Sequence, residues 1–287
     1  MSESLVSLGL YGTLAGIGTL YGIVKYVSGV TPEDRREGLD ILMDTAVGTL
    51  MYVVMWVVIM KSSLLPNLTY SIGSAFNLTN YAPLNQTQYL SSGDTLLSGT
   101  AIASKEYFNV VTQVYGNFWG IILALNMVPI TSPLAWYLQN ATWYWQTTIQ
   151  WTIINIGFIY ALSIIAGLAW ALIPAASGLL ILRQTRIVGT VILSLIIVSV
   201  ITAPLLASLA GQALTTSGIA SISSVNPAQA AENPGIFVNS ILNGAMQSGL
   251  KLQSFDVTVD VVLAFAVAVA MGINRALSEV EHVIFPY

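Results

Sequence analysis

The sequence predicts an all-α protein, a polytopic integral membrane bundle of about six or seven transmembrane helices, and three observations predict it. Of 287 residues, 55% are apolar and only 8% are charged, against roughly a quarter charged in a soluble domain. Apolar runs long enough to cross a hydrocarbon core of about 30 Å as helix recur between residues 5 and 277. Three Asn-x-Thr triplets, at Asn67, Asn77 and Asn85, crowd the gap between two such runs. A glycan acceptor is useful only where a transferase reaches it, so the cluster marks an extracytoplasmic segment.

The first span, Leu5–Val27, follows "MSES" with no basic region and no small-residue cleavage site, so a removable signal peptide is not expected. Its Gly9, Gly12 and Gly16 share one helix face, and Gly18 and Gly22 lie nearly opposite. Small residues let helix backbones approach. The simplest reading is tight packing within the chain on both faces; the second is a seam between subunits. A helix start follows: Thr31 caps, Pro32 suits the first helical position, and Glu33 and Asp34 complement the positive end of the dipole. The second helix therefore begins in water, enters the bilayer near Ile41 and leaves near Lys61. Lys25, Arg35 and Arg36 make its entry the densest basic stretch in the chain, which the positive-inside rule places in the cytoplasm. The amino terminus is then expected outside, as is the segment 62–105 with its acceptor triplets.

Arg183 and Arg186 form the next basic pair and are again expected inside. Parity requires an odd number of crossings before them. One solution uses three, Phe108–Ile130, Trp143–Ile159 and Tyr160–Leu182; the other uses one long crossing, with Phe108–Ile130 dipping in and out. Three crossings would turn a fourth triplet, at Asn140, inward, and the six Trp and Tyr residues of "WYLQNATWYWQTTIQW" suit an interfacial belt on either side. From Arg186 the chain crosses outward, and from about Asp256 it returns, leaving Arg275 and the tail in the cytoplasm. The whole is one membrane domain of seven spans, or five with a re-entrant segment. In a second exterior loop, 211–255, Asn233 caps and Pro234 opens an amphipathic helix carrying Val238, Ile241, Leu242, Ala245, Met246 and Leu250 at helical spacing. Such a helix lies on the outer leaflet or closes over the spans as a lid.

An ion-coupled carrier shows ionisable residues at mid-depth, and the middles of these spans have none. Asp44 sits in the inner part of the second helix, and Lys61 snorkels at its outer end. Asp256 and Asp260, four apart on one helix face, are candidate entrance carboxylates, although two carboxylates alone make a poor metal site. The single histidine, His282, lies beside Glu281 in the tail. No paired metal-binding histidines, nucleophile elbow or nucleotide-binding loop occurs, and the absence of cysteine excludes disulfides and thiolate chemistry; neither an enzyme nor a cofactor is expected. Breaks such as "NMVPITSP", "ALIPAASG" and "ITAPLL" either unwind helices around a substrate or merely kink them, and Asn117, Asn126, Asn155 and Thr202 suit interhelical hydrogen bonds.

A cysteine-free polytopic chain with clustered triplets and charge-poor exterior loops resembles a thermoacidophilic archaeal envelope protein. Its layout is a short exterior amino terminus, "TPEDRREGLDILMD" leading into the second span, a long exterior loop and a carboxyl-terminal span. That layout resembles the CedA-like family, the polytopic membrane subunit of the crenarchaeal DNA-exchange system, related to the inner-membrane component of type IV secretion and conjugation machines. The resemblance is architectural and carries over no site residue. It implies a scaffold or pore for DNA import in a hetero-oligomeric complex with small pilin-like membrane subunits and a cytoplasmic hexameric ATPase. The cytoplasmic charges Glu33, Arg35, Arg36, Glu37, Arg183 and Arg186 are the candidate docking surface for that motor. The competing readings are a secondary transporter or channel for a small solute and a platform for a surface filament. Asn67, Asn77 and Asn85 are expected to carry glycans and, under three crossings, Asn140 to be bare; glycopeptide mass spectrometry of the native protein checks both.

Overall fold

A computed structural model describes residues 2–181, 185–219 and 234–284. Among the described residues the chain is helical and contains no strand. The α-helices are α1 (Ser2–Ser28), α2 (Pro32–Met55, extended by a π-helical turn, Trp56–Lys61), α3 (Leu64–Ala75), α4 (Gly93–Met127), α5 (Ser132–Ala141), α6 (Trp143–Gly167), α7 (Ala169–Leu179), α8 (Arg186–Thr216) and α9 (Pro234–Ile284). Five stretches among the described residues are long and apolar enough to cross a membrane: Pro32–Lys61, Gly93–Met127, Trp143–Gly167, Arg186–Thr216 and Val238–Ala276. The molecule is a helical membrane bundle with α8 at its centre, since 61% of the most apolar window of α8 is buried against 17% of that of α2.

The lower end of the bundle is a hairpin of α1 and α2 packed on α7 and the start of α8. Thr31 closes a capping box with Asp34 at the start of α2, as the sequence implies. Backbones touch where glycines allow it. A Cβ at Gly38 would lie 2.5 Å from the Tyr26 nitrogen and 2.8 Å from the Gly22 carbonyl, and one at Gly18 would meet Thr45 Oγ1 at 2.9 Å. Tyr11 stacks on Tyr52 with ring centroids 4.4 Å apart and donates to Thr49 Oγ1 at 2.9 Å. The opposite face of α1 is open, with nothing within 4 Å of a Cβ built at Gly9, Gly12 or Gly16. Of the two glycine faces, then, only the Gly18 and Gly22 face packs within the chain.

Further up, α4 and α6 run antiparallel, joined through α5. Phe118 meets Trp145 at 4.9 Å between ring centroids, Gln150 donates to the Tyr115 hydroxyl at 2.6 Å, and Gly157 faces Phe108. α8 lies alongside, and Gly211 admits the Tyr107 ring. From Lys251 onward α9 runs antiparallel to α8, with Lys251 Nζ donating to the Thr216 carbonyl and Ala266 and Ala270 reaching Val198.

Two expectations are corrected. A turn between Ile159 and Tyr160 does not exist: α6 is unbroken from Trp143 to Gly167, because nothing at residues 155–162 interrupts the backbone ladder, and the break falls at Leu168, just past Gly167. The three-crossing division at that point is therefore lost. The amphipathic segment in 211–255 is not a separate surface helix or lid. It is the first part of α9, a single helix of 51 residues, and it buries Val238, Ile241 and Ala245 against α5 and α6 while Met246 and Leu250 stay exposed. Its predicted cap, Asn233, lies outside the described residues. Overpacking at backbone contacts costs about 1–3 kcal/mol, so Gly38→Ala is expected to lose that much stability and Gly12→Ala less than about 0.5 kcal/mol. Thermal unfolding in detergent, followed by tryptophan fluorescence, checks the difference.

Candidate functional site

The acceptor triplets lie in a folded segment rather than a free loop. α3 buries Leu65, Thr69 and Gly73 toward the bundle and exposes Asn67. Asn77 follows at φ 57°, a left-handed conformation that asparagine tolerates, and it is exposed, as is Asn85. Besides this apolar packing, the segment is hydrogen-bonded to two helices at one place. The Ala82 carbonyl accepts the Tyr107 hydroxyl at 3.2 Å and the Ser208 hydroxyl at 3.3 Å, drawing α4 and α8 to the same loop.

Asp256 and Asp260 take different roles. Asp256 is 7% exposed, and its carboxylate accepts Thr152 Oγ1 at 2.9 Å and Asn155 Nδ2 at 3.0 Å. These two α6 residues are three apart and so share a face; together they clamp α9 to α6. Trp145 Nε1 donates to Ser248 Oγ at 2.9 Å two turns away, and Tyr144 donates to Gln253. Asp260, one turn beyond Asp256, is exposed. A cleft of about 410 Å³ opens here between Trp143, Trp151, Asp256 and Asp260. A carboxylate beside aromatic faces suits a cation. Groups of three or more metal-ligating side chains are absent among the described residues.

The expected docking charges separate into two kinds. Arg186 is paired with Asp44, their side chains 14% and 13% exposed, and its Nε also faces the Leu180 carbonyl at 3.3 Å. Glu37 pairs with Lys25 at 2.6 Å, and Arg35 Nε donates to the Gly29 carbonyl at 3.0 Å, bracing the α1–α2 turn. Glu33 and Arg36 are exposed on the same collar. Arg183 lies outside the described residues. The Asp44–Arg186 partnership escaped sequence reading, although a charge of each sign near the inner ends of two spans was the signal for it.

Comparison with protein-family models, with curated proteins and with solved structures finds no match. Removing the buried Asp256 carboxylate strands Thr152 and Asn155, so Asp256→Ala is expected to cost about 1–3 kcal/mol. Asp260→Ala should stay within about 0.5 kcal/mol, and chemical denaturation in detergent separates the two. Asp44→Ala leaves Arg186 buried without its carboxylate and should cost about 3–5 kcal/mol by the same assay.

Proposed function

We propose that this chain is the membrane scaffold of a multi-component machine for DNA import, oriented with its amino terminus outside and its carboxyl terminus in the cytoplasm. The observation that supports this best is mechanical. α9 alone runs 51 residues, about 77 Å at 1.5 Å per residue, and is clamped to α6 by Asp256 and packed on α8 between Lys251 and Ala270. A helix more than twice the thickness of a hydrocarbon core rigidly links one side of the bilayer to a folded region on the other. A scaffold between a cytoplasmic motor and an exterior apparatus requires such a link.

The resemblance to the CedA-like family supplies the cargo and the partners: DNA, small pilin-like membrane subunits and a hexameric ATPase. Arg35 and Arg36 at the α1–α2 turn orient that turn inward. With Arg186 committed to Asp44, the motor docks on the exposed part of the collar, at Glu33 and Arg36. The open Gly9, Gly12 and Gly16 face offers a close-packing surface to the helix of a small membrane subunit.

A second reading, a carrier for a small cationic solute, draws on the cleft at Asp260. The two separate cleanly. Glu33→Lys with Arg36→Glu is expected to reduce DNA transfer tenfold or more and to abolish copurification of the ATPase, while thermal stability and insertion stay unchanged. Normal DNA transfer by that variant, or solute uptake by liposomes containing the purified chain alone, refutes the machine-subunit reading.

A further inference from the structure

Length and apolarity nominate α4 as a crossing, but the levels at which the helices meet do not. α8 provides the ruler. Its first residue, Arg186, pairs with Asp44, and Ser208 meets the Tyr81 and Ala82 carbonyls of the segment that carries the acceptor triplets. The interval of 22 residues (208 − 186) rises about 33 Å, the thickness of a hydrocarbon core. Other helices carry shorter charge-free stretches that fit within this interval. α2 is free of charge from Thr45 to Met60, between Asp44 and Lys61, and α9 from Val261 to Asn274, between Asp260 and Arg275. Exposed side chains of this layer include Val53, Val54 and Val57 on α2, Ile187 and Val191 on α8 and Phe265 on α9, and the exposed Thr13 and Thr49 hydroxyls are bonded within their own helices to the Leu10 and Thr45 carbonyls.

α4 enters this layer only with its first turns. Gly93 abuts the Ile59 carbonyl near the end of α2, and Tyr107 is already level with Ala82 and Gly211. α4 runs a further 20 residues (127 − 107), about 30 Å, and its later part extends past the end of α8 together with α5, the start of α6 and the start of α9. Their exposed positions include Gln113, Asn243 and Gln247, amides that lipid would leave without partners. Asn140, in the last turn of α5, is exposed at this far end.

We propose that the bilayer surrounds only the lower tier, crossed five times by α1, α2, the end of α6 with α7, α8 and α9, and that the upper tier stands in extracytoplasmic water with Asn140 as a fourth N-glycan acceptor. This rests on the orientation given above. The five crossings keep the amino terminus outside and Arg186 inside, and they need no re-entrant segment. In the transfer step the Asn140 amide nitrogen forms a bond to the anomeric carbon of an oligosaccharide carried on a lipid phosphate. The bond from that carbon to the phosphate oxygen breaks, the phosphate leaves with the electron pair, and a transferase base takes the amide proton. In the folded chain the Thr142 hydroxyl is bonded to the Leu138 carbonyl at 2.7 Å, so the triplet is modified before α5 closes.

The cysteine-free chain permits a direct test with the single variants Gly116→Cys, Asn140→Cys and Val54→Cys, treated with a membrane-impermeant maleimide on intact cells and after permeabilisation. Gly116 is exposed with nothing within 4 Å of its Cβ position. The expected result is labelling at 116 and 140 from outside, silence at 54, and a glycan mass increment on the Asn140 peptide that N140Q removes. Silence at 116 with labelling at 140 only after permeabilisation means that α4 crosses, and overturns the proposal while the orientation stands. Labelling of both only after permeabilisation overturns the orientation instead. A bare Asn140 in protein whose Asn67, Asn77 and Asn85 are occupied overturns the modification.

Discussion

The Asp44–Arg186 ion pair is the contact from which the rest of the bundle takes its register. It joins the α1–α2 hairpin to the first residue of α8, close to where α7 ends. Both side chains are largely withdrawn from water, and a buried pair of this kind contributes little net stability yet costs much to break. Its effect is therefore on geometry: it fixes how far α8 sits along α2, and Gly48 then meets Ser177 while Gly189 meets Ala176. From Arg186 upward α8 carries no charge as far as Thr216, so its contacts below Ser208 are set by shape rather than by charge pairing.

Shape suffices there because the polar side chains of the spans are mostly satisfied within their own helices. Thr45, Thr49 and Thr202 each return a hydrogen bond to the carbonyl four residues back, and Ser194 to the one three back. Such side chains make no demand on neighbouring helices. Close approach at Gly18, Gly38 and Gly178 can then be governed by dispersion and backbone contact, the forces that drive helix association in lipid.

The region above behaves differently. There α9 is tied to α6 by Asp256 through Thr152 and Asn155, by Ser248 through Trp145 and by Gln253 through Tyr144. These are side-chain bonds between elements more than 100 residues apart in sequence, of the kind that orders a polar assembly. The lower part of the bundle is thus joined by close backbone approach and one ion pair, and the upper part by side-chain hydrogen bonds between helices.

Several features were legible in the chain itself because they arise from local chemistry. The capping box at Thr31, the collar of charge before Ile41, the charge-free helices and the exposed Asn67, Asn77 and Asn85 each depend on residues within a turn or two of one another. The continuity of α9 was not legible: an amphipathic stretch and an apolar stretch share the same 3.6-residue period, and Ser254 and Asp256 between them are residue types that could equally have capped a second helix. Nor was the unbroken α6. Which glycine face of α1 packs was equally undetermined, since both faces obey the same spacing; α2 makes the choice, its Thr45 and Leu42 lying against Gly18 and Gly22, joined by Ile181 just past α7 and by Gly178 of α7, which admits Leu14. The partner of Arg186 stands 142 residues away (186 − 44), beyond any local pattern. The sequence by itself determined helices, charge-free layers and the marked segment, because propensity and transfer free energy act residue by residue. Only the tertiary structure decided which faces close, which acids are buried and at what height each helix meets its neighbour, because those depend on contacts between segments that the chain brings together only on folding.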